Sequence, residues 1–562
     1  MSSRMRMDLA NVLRLSAASA VLCALLGVQS ASAAVSASGS TSANPTSAGA
    51  DPIIGVTDIG RLTITAGSTV TSDVAILGEE VNGIGDVLVT DFNPGTAATS
   101  TWNTNQLTVG HEGTGRLEIL NGAFVNVHFA SLPGTGDLIV GAEADSLGTV
   151  IVSGLGSMLR LGDDAFLGID GTGVLIIEDE GYVVGTNDAV SGVDTFTVGL
   201  RGRVELNNGR LRTESLANNG AIVGHGRIDS ENTIVNSTTG RLEVGGGDRL
   251  VVNAGNAGGV GLDNDGEIAV VGGEIEFLER VTNTNTAAEI ALLNGVVRFP
   301  KTGFGFDSTT GVLATTGGTN DIYGTVRIQG ASSRIVVAGE STAVFHDPVT
   351  NAGGVIEVFP GSSAVYLQGL TTTGSGSALS IHLAAPDEDP DFGQVEVGGS
   401  AALDGTLQVQ LAGGFVPANG DAFQILTAAG GITGSLSLAA EPTLPSSLQW
   451  DLDINASNVV LSVVSTGDYN GNGAVDAADY VLWRKTLNQT GAGLAADGNG
   501  NGVVDPADYD FWRTRFGNTE FAIGTGAAAA VPESTTMSIL CSATILLLRR
   551  RRIKSTRRTE RC

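Results

Sequence analysis

A sequence motif that recurs in the first half of the chain constrains the fold more than any other feature. Its marker glycines are Gly78, Gly110, Gly141, Gly168 and Gly199, separated by 32, 31, 27 and 31 residues. Near-regular self-similarity on this scale is typical of repeat architectures, in which each unit covers the apolar edge of the next. Short L-x-I and V-x-V runs beside these glycines alternate apolar and polar residues, which predicts half-buried strands.

The repeats predict an all-β class for most of the chain. For residues 53–380 we predict a right-handed parallel β-helix, that is, a β-solenoid. An open end of such a stack would expose unpaired strand edges, so residues 381–464 are predicted to form a terminal β cap. An up-and-down or sandwich array of the same strands is the alternative. The segment LTVGHEGTGRLEI, residues 107–119, resembles the repeats of autotransporter passengers, and this resemblance also implies a long β-helix.

A second sequence motif occurs twice near the C-terminus. DYNGNGAVDAADYVLWRKTL begins at Asp468, and DGNGNGVVDPADYDFWRTRF begins at Asp497, 29 residues later. Oxygen-bearing side chains recur at loop positions 1, 3, 5, 9 and 12, with a glycine for the sharp turn at position 6. A Ca²⁺ ion takes about six to eight oxygens, and such a loop adds a backbone carbonyl at position 7. A pair of ordinary Asn/Gly/Asp surface turns is the alternative.

The pattern predicts two Ca²⁺ ions, one for each loop. In the first loop the predicted ligands are Asp468, Asn470, Asn472, the carbonyl of Ala474, Asp476 and Asp479. In the second loop they are Asp497, Asn499, Asn501, the carbonyl of Val503, Asp505 and Asp508.

Each loop is followed by a predicted helix. Offsets of three and four residues place two aromatic sets on one face, Tyr480, Trp483 and Leu487 in the first helix and Tyr509, Trp512 and Phe516 in the second. The apolar residues at loop position 8, Val475 and Val504, predict a short pairing between the two loops.

Residues 465–518 resemble the type I dockerin domain, and Asp at position 12 in place of Glu is the dockerin form. The resemblance implies a calcium-dependent module that docks onto cohesin domains. Dockerins usually carry Ser/Thr-like residues at positions 10 and 11, where this chain has Ala477, Ala478, Pro506 and Ala507. The predicted partner is therefore a cohesin-like or other protein. The segments DYVLWRKTL and DYDFWRTRFG also resemble the dockerin-like modules of planctomycete surface proteins.

Both termini are predicted to carry targeting signals. Residues 1–33 are predicted to be a signal peptide cleaved after Ala33, with a membrane anchor as the alternative, and residues 34–52 a flexible linker. After a linker at 519–530, residues 531–562 hold V-P-E-S-T, an apolar run and four arginines. This order resembles the PEP-CTERM sorting signal, with Ser534 in place of a proline. It implies processing by an exosortase after transient membrane contact; a plain tail anchor is the alternative.

Charge and cysteine content narrow the function classes. The net charge of −29 disfavours nucleic acid and anionic lipid as partners and favours divalent cations. The three cysteines, Cys23, Cys541 and Cys562, lie in segments predicted to be removed, so no disulfide is expected.

No catalytic residue is predicted. The acidic runs 178–180 and 387–391 are expected to be solvated turns, and the five histidines are scattered. We therefore predict an exported structural or adhesive protein, at the cell surface or outside the cell. A polysaccharide-binding or polysaccharide-degrading β-helix, a glycosyl hydrolase or lyase assembled through its dockerin, is the alternative.

Overall fold

The structure, a computed structural model, describes residues 34–42, 51–90, 92–93, 98–127, 137–185, 194–255, 261–300, 303, 305–386, 391–439, 441–445, 447–491 and 493–518. They divide into two compact units. The β unit contains the described residues up to Leu444 together with Trp450–Val464. The helical unit contains those of Pro445–Gln449 and those from Ser465 onward.

Strands of the β unit pair mostly in parallel, in three ladders that the chain visits in turn. Thr114–Leu120, for example, pairs in parallel with Ile84–Val89 before it and with Leu147–Ser153 after it. Each strand thus hydrogen-bonds to the strand that occupies the same place in the next repeat. The predicted all-β class with parallel strands is confirmed.

The strands have the following bounds. The first ladder contains Ala34–Gly39, Ile59–Thr65, Ile84–Val89, Thr114–Leu120, Leu147–Ser153, Thr172–Glu178, Gly202–Thr213, Ala221–Ser230, Arg241–Gly245, Glu267–Val271, Glu289–Leu293, Gly311–Tyr323, Ser333–Phe345, Val355–Val358, Ala378–Leu383, Thr406–Leu411 and Ser437–Leu438. The second contains Thr69–Thr71, Thr101–Thr104, Phe124–Val127, Met158–Leu161, Tyr182–Gly185, Arg249–Asn253, Glu274–Phe277, Val296–Arg298, Ser363–Tyr366, Gln394–Val397, Ala422–Ala428 and Asn458–Ser465. The third contains Thr41–Ser42, Ile53–Ile54, Val74–Leu77, Gln106–Val109, Leu138–Val140, Ala165–Leu167, Thr195–Val198, Ser215–Asn218, Ile234–Asn236, Leu262–Asn264, Val281–Asn283, Phe306–Ser308, Val326–Gln329, Val349–Ala352, Gly369–Thr372, Ser400–Leu403 and Ile432–Gly434.

Four long strands, Gly202–Thr213, Ala221–Ser230, Gly311–Tyr323 and Ser333–Phe345, run through both the first and the second ladder. Leu448–Ile454 belongs to the same sheet as the first two ladders, and the antiparallel pair Phe92–Asn93 and Ala98–Thr99 forms a sheet of its own.

Apolar side chains on alternate residues of each strand make the core. Leu117 lies opposite Val150, which lies opposite Leu175, and all three are fully buried. Stacking of identical positions buries a continuous apolar column and explains the L-x-I wording of the repeats.

The marker glycines turn the chain where neighbouring repeats come closest. Gly110 has a φ of 75°, and a Cβ there would lie 2.6 Å from the backbone of Leu147 and Gly148 in the next repeat. Both the positive φ and the close approach require glycine. Gly78, Gly141 and Gly168 share the positive φ, so the near-fixed spacing of these four glycines reflects the repeat of this turn, whereas Gly199 has no positive φ.

A column of buried asparagines runs along the third ladder, and the sequence analysis missed it. Asn218 donates to Asn236 at 2.7 Å, Asn236 to Asn264 at 2.7 Å, and Asn264 to Asn283 at 3.0 Å. All four side chains are fully buried. Each amide thus bonds to the next, which lowers the free-energy cost of burying these polar groups, and at the end of the column the Nδ2 of Asn283 is buried without a partner in the described part of the chain.

The predicted flexible linker over residues 34–52 is wrong for two stretches. Ala34–Gly39 pairs antiparallel with Ile59–Thr65, and Thr41–Ser42 pairs antiparallel with Ile53–Ile54. The alternation of small and polar residues in AVSASG suits a strand that covers a ladder edge, although its composition is typical of a linker.

Parallel pairing also continues past residue 380. Thr406–Leu411 pairs in parallel with Ala378–Leu383 and then with Ser437–Leu438. Asn458–Ser465 runs in the opposite direction and pairs antiparallel with Ala422–Ala428. The antiparallel strand ends the second ladder, whereas most of the predicted cap segment belongs to the stack.

The helical unit contains two helices, α1 (Ala477–Thr486) and α2 (Pro506–Arg515). Among the described residues, neither helix has the length and apolar content needed to cross a bilayer. The predicted signal peptide (1–33), the linker at 519–530 and the sorting segment at 531–562 lie outside the described residues.

Candidate metal-binding loops

Each of the two duplicated loops buries a pair of carboxylates. Asp468 and Asp479 are 2% and 0% exposed in the first loop, and Asp497 and Asp508 are 3% and 0% exposed in the second. Carboxylates are seldom buried without a compensating partner, because desolvation of the charge is costly. These four residues therefore mark the loops as the candidate site.

Backbone amides fold the first loop around Asp468. Its Oδ1 accepts from the amides of Gly471 and Asn472 at 2.9 and 3.1 Å, and its Oδ2 accepts from Gly473 at 2.7 Å. Asn472 in turn accepts from the amide of Ala474 at 2.9 Å. Side-chain oxygens of Asp468 and Asn472 thus accept hydrogen bonds from backbone amides of the same loop.

The second loop repeats this arrangement. Asp497 accepts from Asn501 at 3.1 Å and from Gly502 at 2.7 Å, and Asn501 accepts from Val503 at 2.8 Å. Gly473 and Gly502, at position 6, have φ values of 86° and 78°, as the sharp turn requires.

The last carboxylate of each loop belongs to a helix as well. Asp476 caps α1, and Asp479 occupies its third position, where its Oδ2 accepts from the Asp476 amide at 2.7 Å. Asp505 and Asp508 form the same capping box on α2. A capping box satisfies amides that a helix start leaves unpaired, so loop and helix are built from the same residues.

One tryptophan in each helix donates a hydrogen bond to the loop that precedes the other helix. Trp483 donates from Nε1 to the Asp505 carbonyl at 2.8 Å, and Trp512 donates to the Asp476 carbonyl at 3.0 Å. Tyr469 adds a bond to the Asp508 carbonyl at 2.8 Å. The duplicated W at a fixed offset was a usable sequence signal for this reciprocal contact, but the sequence analysis assigned these residues only to packing.

The aromatic side chains otherwise cluster as the helical spacing predicts. The ring of Tyr480 lies 5.5 Å from those of Trp483 and Trp512 and 5.8 Å from that of Tyr509. Trp483 and Trp512 are buried, whereas Phe516 is 56% exposed. Leu487 packs partly buried against the same core.

The predicted pairing between the two loops is wrong. Val475 exchanges backbone hydrogen bonds with the segment after α2, from Gly517 and to Asn518, each at 2.8 Å. Val504 bonds to the segment after α1, at Asn488 and Gln489. The first loop thus pairs with the segment after α2, and the second loop pairs with the segment after α1. These segments, rather than the other loop, lie beside each valine.

Burial and mutual repulsion raise the pKa of the innermost carboxylates. The pKa of Asp479 is raised from its ordinary value of 3.8 mainly by burial and further by Asp468, while the amides of Asp476 and Asn470 oppose the shift. Burial likewise raises the pKa of Asp508, with Asp497 and Asp505 adding to it. A cation between such groups would stabilise their charged form.

The remaining predicted ligands lie around these pairs. Asp476 and Asp505 are half-buried, and Asn470, Asn472, Asn499 and Asn501 are exposed. Each loop thus offers carboxylate, amide and backbone oxygens, a donor set that suits a hard cation and contains no nitrogen or sulfur ligand.

Comparison with protein families gives one match. Residues 466–514 match the model of the dockerin type I domain. This segment is a dockerin type I domain. Such domains bind calcium and cohesin partners, and proteins that contain them are usually extracellular or on the cell surface. The match covers the helical unit and not the β unit. A comparison with curated proteins finds no similar protein.

Of the described residues weighed for catalysis, Glu180 and His225 line the same cavity. Asp179 and Glu180 lie in a turn with φ values of 51° and 67°. His346 pairs with Asp321, and His382 with Glu357. His128 and residues 387–390 lie outside the described part of the chain.

Sequence analysis missed one acidic cluster in the β unit. Asp137, Asp163 and Asp164 bring carboxylate oxygens within 4.8 Å of one another. Burial, followed by the charges of Asp163 and Asp164, raises the pKa of Asp137. Their positions just before strands of the third ladder were the available signal.

Proposed function

We propose that this chain is an exported surface or extracellular-matrix protein, in which a calcium-dependent docking domain follows a right-handed parallel β-helix with a structural or adhesive role. The observation that carries the proposal is the burial of two carboxylate pairs in the dockerin loops, each pair 0–3% exposed. Buried like charges favour a folded loop only when a cation compensates them.

Each loop would hold one Ca²⁺ ion. Asp468 and Asp479 in the first loop and Asp497 and Asp508 in the second supply the inner oxygens. The other proposed ligands are Asn470, Asn472, the carbonyl of Ala474 and Asp476, and then Asn499, Asn501, the carbonyl of Val503 and Asp505. The bound ion would supply charge compensation, and the chain would supply the fixed loop and the helix starts.

The docking surface would include the first turn of each helix. Ala477, Ala478, Pro506 and Ala507 are exposed there. These small side chains leave the helix starts accessible to a protein partner, cohesin-like or other. Because the metal loops lead directly into these turns, calcium would control the surface.

The β-helix proposal is supported by three parallel ladders that the chain visits in turn. Such a stack presents long rows of side chains outward, which suits a scaffold or an adhesive surface. Polysaccharide binding or cleavage by the same unit is the second candidate, and an arginine-lined cavity on the second ladder favours binding over cleavage. Export, and processing of the C-terminal segment by an exosortase, are proposed on the sequence signals alone.

Calorimetric titration of the full-length protein with CaCl₂ tests the metal proposal. Two ions bound per chain are expected, and binding of purified cohesin domains should require Ca²⁺ and cease in EGTA. Absence of calcium uptake would refute the metal sites. Cohesin binding that persists in EGTA would refute calcium control of docking. A Leu155→Ser variant, altered at an exposed position in the β unit, serves as the control.

A further inference from the structure

An open cavity of about 710 Å³ lies on the outward side of the second ladder. Arg210, His225, Arg227 and Arg249 line it, and so does the ring of Tyr182. Arg210 and Arg227 lie on neighbouring strands directly opposite each other, so their side chains form a row along the stack. The cavity is part of the β unit and shares no residue with the calcium loops.

The cavity has cationic side chains on an acidic chain, and each of them is ion-paired. The whole chain has a net charge of −29, and the lining contains three arginines, His225 and one carboxylate, Glu180. Arg210 and Arg227 pair with Asp229, Arg249 pairs with Glu274 and Glu276, and His225 lies 3.4 Å from Asp248. The arginine side chains are 47%, 40% and 55% exposed in the order Arg210, Arg227, Arg249. The cavity therefore offers an anion the guanidinium donors that these pairs leave free, rather than an excess of positive charge.

A buried carboxylate fixes two of the three guanidinium groups in position. Asp229, 9% exposed in its side chain, accepts from Arg210 at 2.9 Å and from both Nε and Nη2 of Arg227, at 2.8 and 2.7 Å. Each guanidinium has five N–H donors, and these bonds use at most two of them on Arg227. The remaining donors form planar forks that match a carboxylate bidentately.

The lining also offers apolar surface beside these charges. The guanidinium of Arg210 lies over the ring of Tyr182, 5.3 Å from its centroid. Met158, Val251 and the 78% exposed Leu155 extend this surface. A simple inorganic anion would use only the arginines, whereas a ring with one apolar face and a carboxylate would use both parts.

We propose that this cavity binds an acidic saccharide, with a sugar carboxylate on Arg210, Arg227 or Arg249 and a sugar ring against Tyr182. The site is a binding site, and no chemical step is assigned to it. It stands on the cavity alone and does not depend on the docking proposal. Among anionic ligands, the apolar lining favours the saccharide over phosphate.

Calorimetry on the full-length protein tests this with three probes: a hexamer of a uronic acid, a neutral glucose hexamer and inorganic phosphate. We expect binding of the uronic acid hexamer, with no binding of the neutral one and at least tenfold weaker binding of phosphate. Equal affinity for the neutral hexamer, or phosphate affinity that equals that of the acidic hexamer, would overturn the saccharide assignment.

Matched variants locate the site. Arg210→Gln and Arg249→Gln should each weaken binding about tenfold, and Tyr182→Leu should weaken saccharide binding while leaving any phosphate binding unchanged. Arg203→Gln is the control, since Arg203 is 45% exposed and paired with Glu205 but lies on the first ladder. An equal loss with Arg203→Gln, or unchanged affinity in both cavity variants, would refute the site. Binding that persists in EGTA separates it from the calcium module.

Discussion

Asp479 and Asp508 each serve a loop and a helix. Asp479 accepts from the amides of Asn470 and Asp476, and so links the start of the loop to the start of α1. Asp508 does the same for α2 through Asn499 and Asp505. The shorter Asp at position 12 fits both tasks because the capping bond holds its carboxylate close to the helix start.

Replacing Asp479 with asparagine should separate these two tasks. Asp479→Asn keeps one oxygen acceptor but loses the charge, so calcium affinity of the first loop should fall at least tenfold. The affinity of the unchanged protein should also fall as the pH is lowered, because the raised pKa of Asp479 makes a proton compete with the metal. Calcium titration at two pH values measures both effects. Asp510→Asn, at an exposed position on α2, is the control and should change neither.

Tyr366 offers a stabilising substitution. Its ring stacks on Phe345 with centroids 4.8 Å apart, and its hydroxyl is buried without a hydrogen-bond partner in the described part of the chain. Tyr366→Phe removes an unsatisfied polar group and keeps the ring, so the free energy of unfolding should rise by about 1 kcal/mol. Urea unfolding measures it. Tyr323→Phe, at a half-buried ring stacked on His346, should give no such gain.

Asp229 should make stability depend on pH. Burial alone would raise its pKa, but hydrogen bonds from Arg227 and Asn253 and the charges of Arg227 and Arg210 lower it below 3.8. Its stabilising contribution is therefore full above the unfolded value of about 3.9 and is lost as the pH falls through the folded-state pKa.

Asp229→Asn should accordingly lower the free energy of unfolding by about 1–3 kcal/mol at pH 7, and by less as the pH approaches 3. Urea denaturation across this range gives the measurement. The exposed pair of Asp86 with Arg61 provides the control, because Asp86→Asn should cost at most about 1 kcal/mol. A deficit that stays constant from pH 7 to 3 would contradict the assignment.

At the scale of elements, the strands were predictable and the asparagine column was not. Apolar residues at alternate positions, such as Leu117 and Ile119, indicate which side chains face inward, because side chains in a strand alternate between its two faces. Asn218, Asn236, Asn264 and Asn283 are 18, 28 and 19 residues apart, since the turns between the ladders vary in length. Only the three-dimensional register brings them into one column.

The same distinction holds for the loops. Their proposed ligand residues follow from spacing within 12 residues, which is local information. The partners of Val475 and Val504 lie beyond a helix, so the sequence could suggest pairing but could not identify which segment passes beside each valine. The Ala34–Gly39 strand was missed for a similar reason. Its composition is typical of a linker, and it forms a strand because it pairs with Ile59–Thr65.

Interrupting the asparagine column should weaken the third ladder. Asn236→Ala removes the acceptor for Asn218 and the donor for Asn264, both fully buried, so the free energy of unfolding should fall by about 2–4 kcal/mol. Asn283→Ala, at the end of the column, removes one acceptor of Asn264, whose Nδ2 keeps a bond to the Glu289 carbonyl at 3.4 Å, and should cost less. Urea unfolding of the two variants compares these losses, and equal losses would show that the column does not act through its paired amides.

At the scale of the whole molecule, the two units obtain their stability in different ways. The β unit buries continuous columns of apolar residues and hydrogen-bonds each strand to its neighbours in the stack. The helical unit has a small core around Trp483 and Trp512 and buries four carboxylates beside it. The buried carboxylates of the helical unit lie in like-charged pairs, which a cation would stabilise, whereas the buried Asp229 of the β unit pairs with two arginines.

Removal of calcium should therefore unfold the helical unit and leave the β unit intact. In EGTA the buried pairs Asp468 with Asp479 and Asp497 with Asp508 would lose the compensating charge, whereas the columns around Leu117 depend on no ion. Hydrogen exchange of the full-length protein measures this, with faster exchange expected in peptides from residues 466–514 and unchanged exchange in those from 137–185. Mg²⁺ at the same concentration is the matched control and should protect the helical unit less, because it requires a tighter octahedral site. Equal loss of protection in both units would show that calcium stabilises the molecule elsewhere than in these loops.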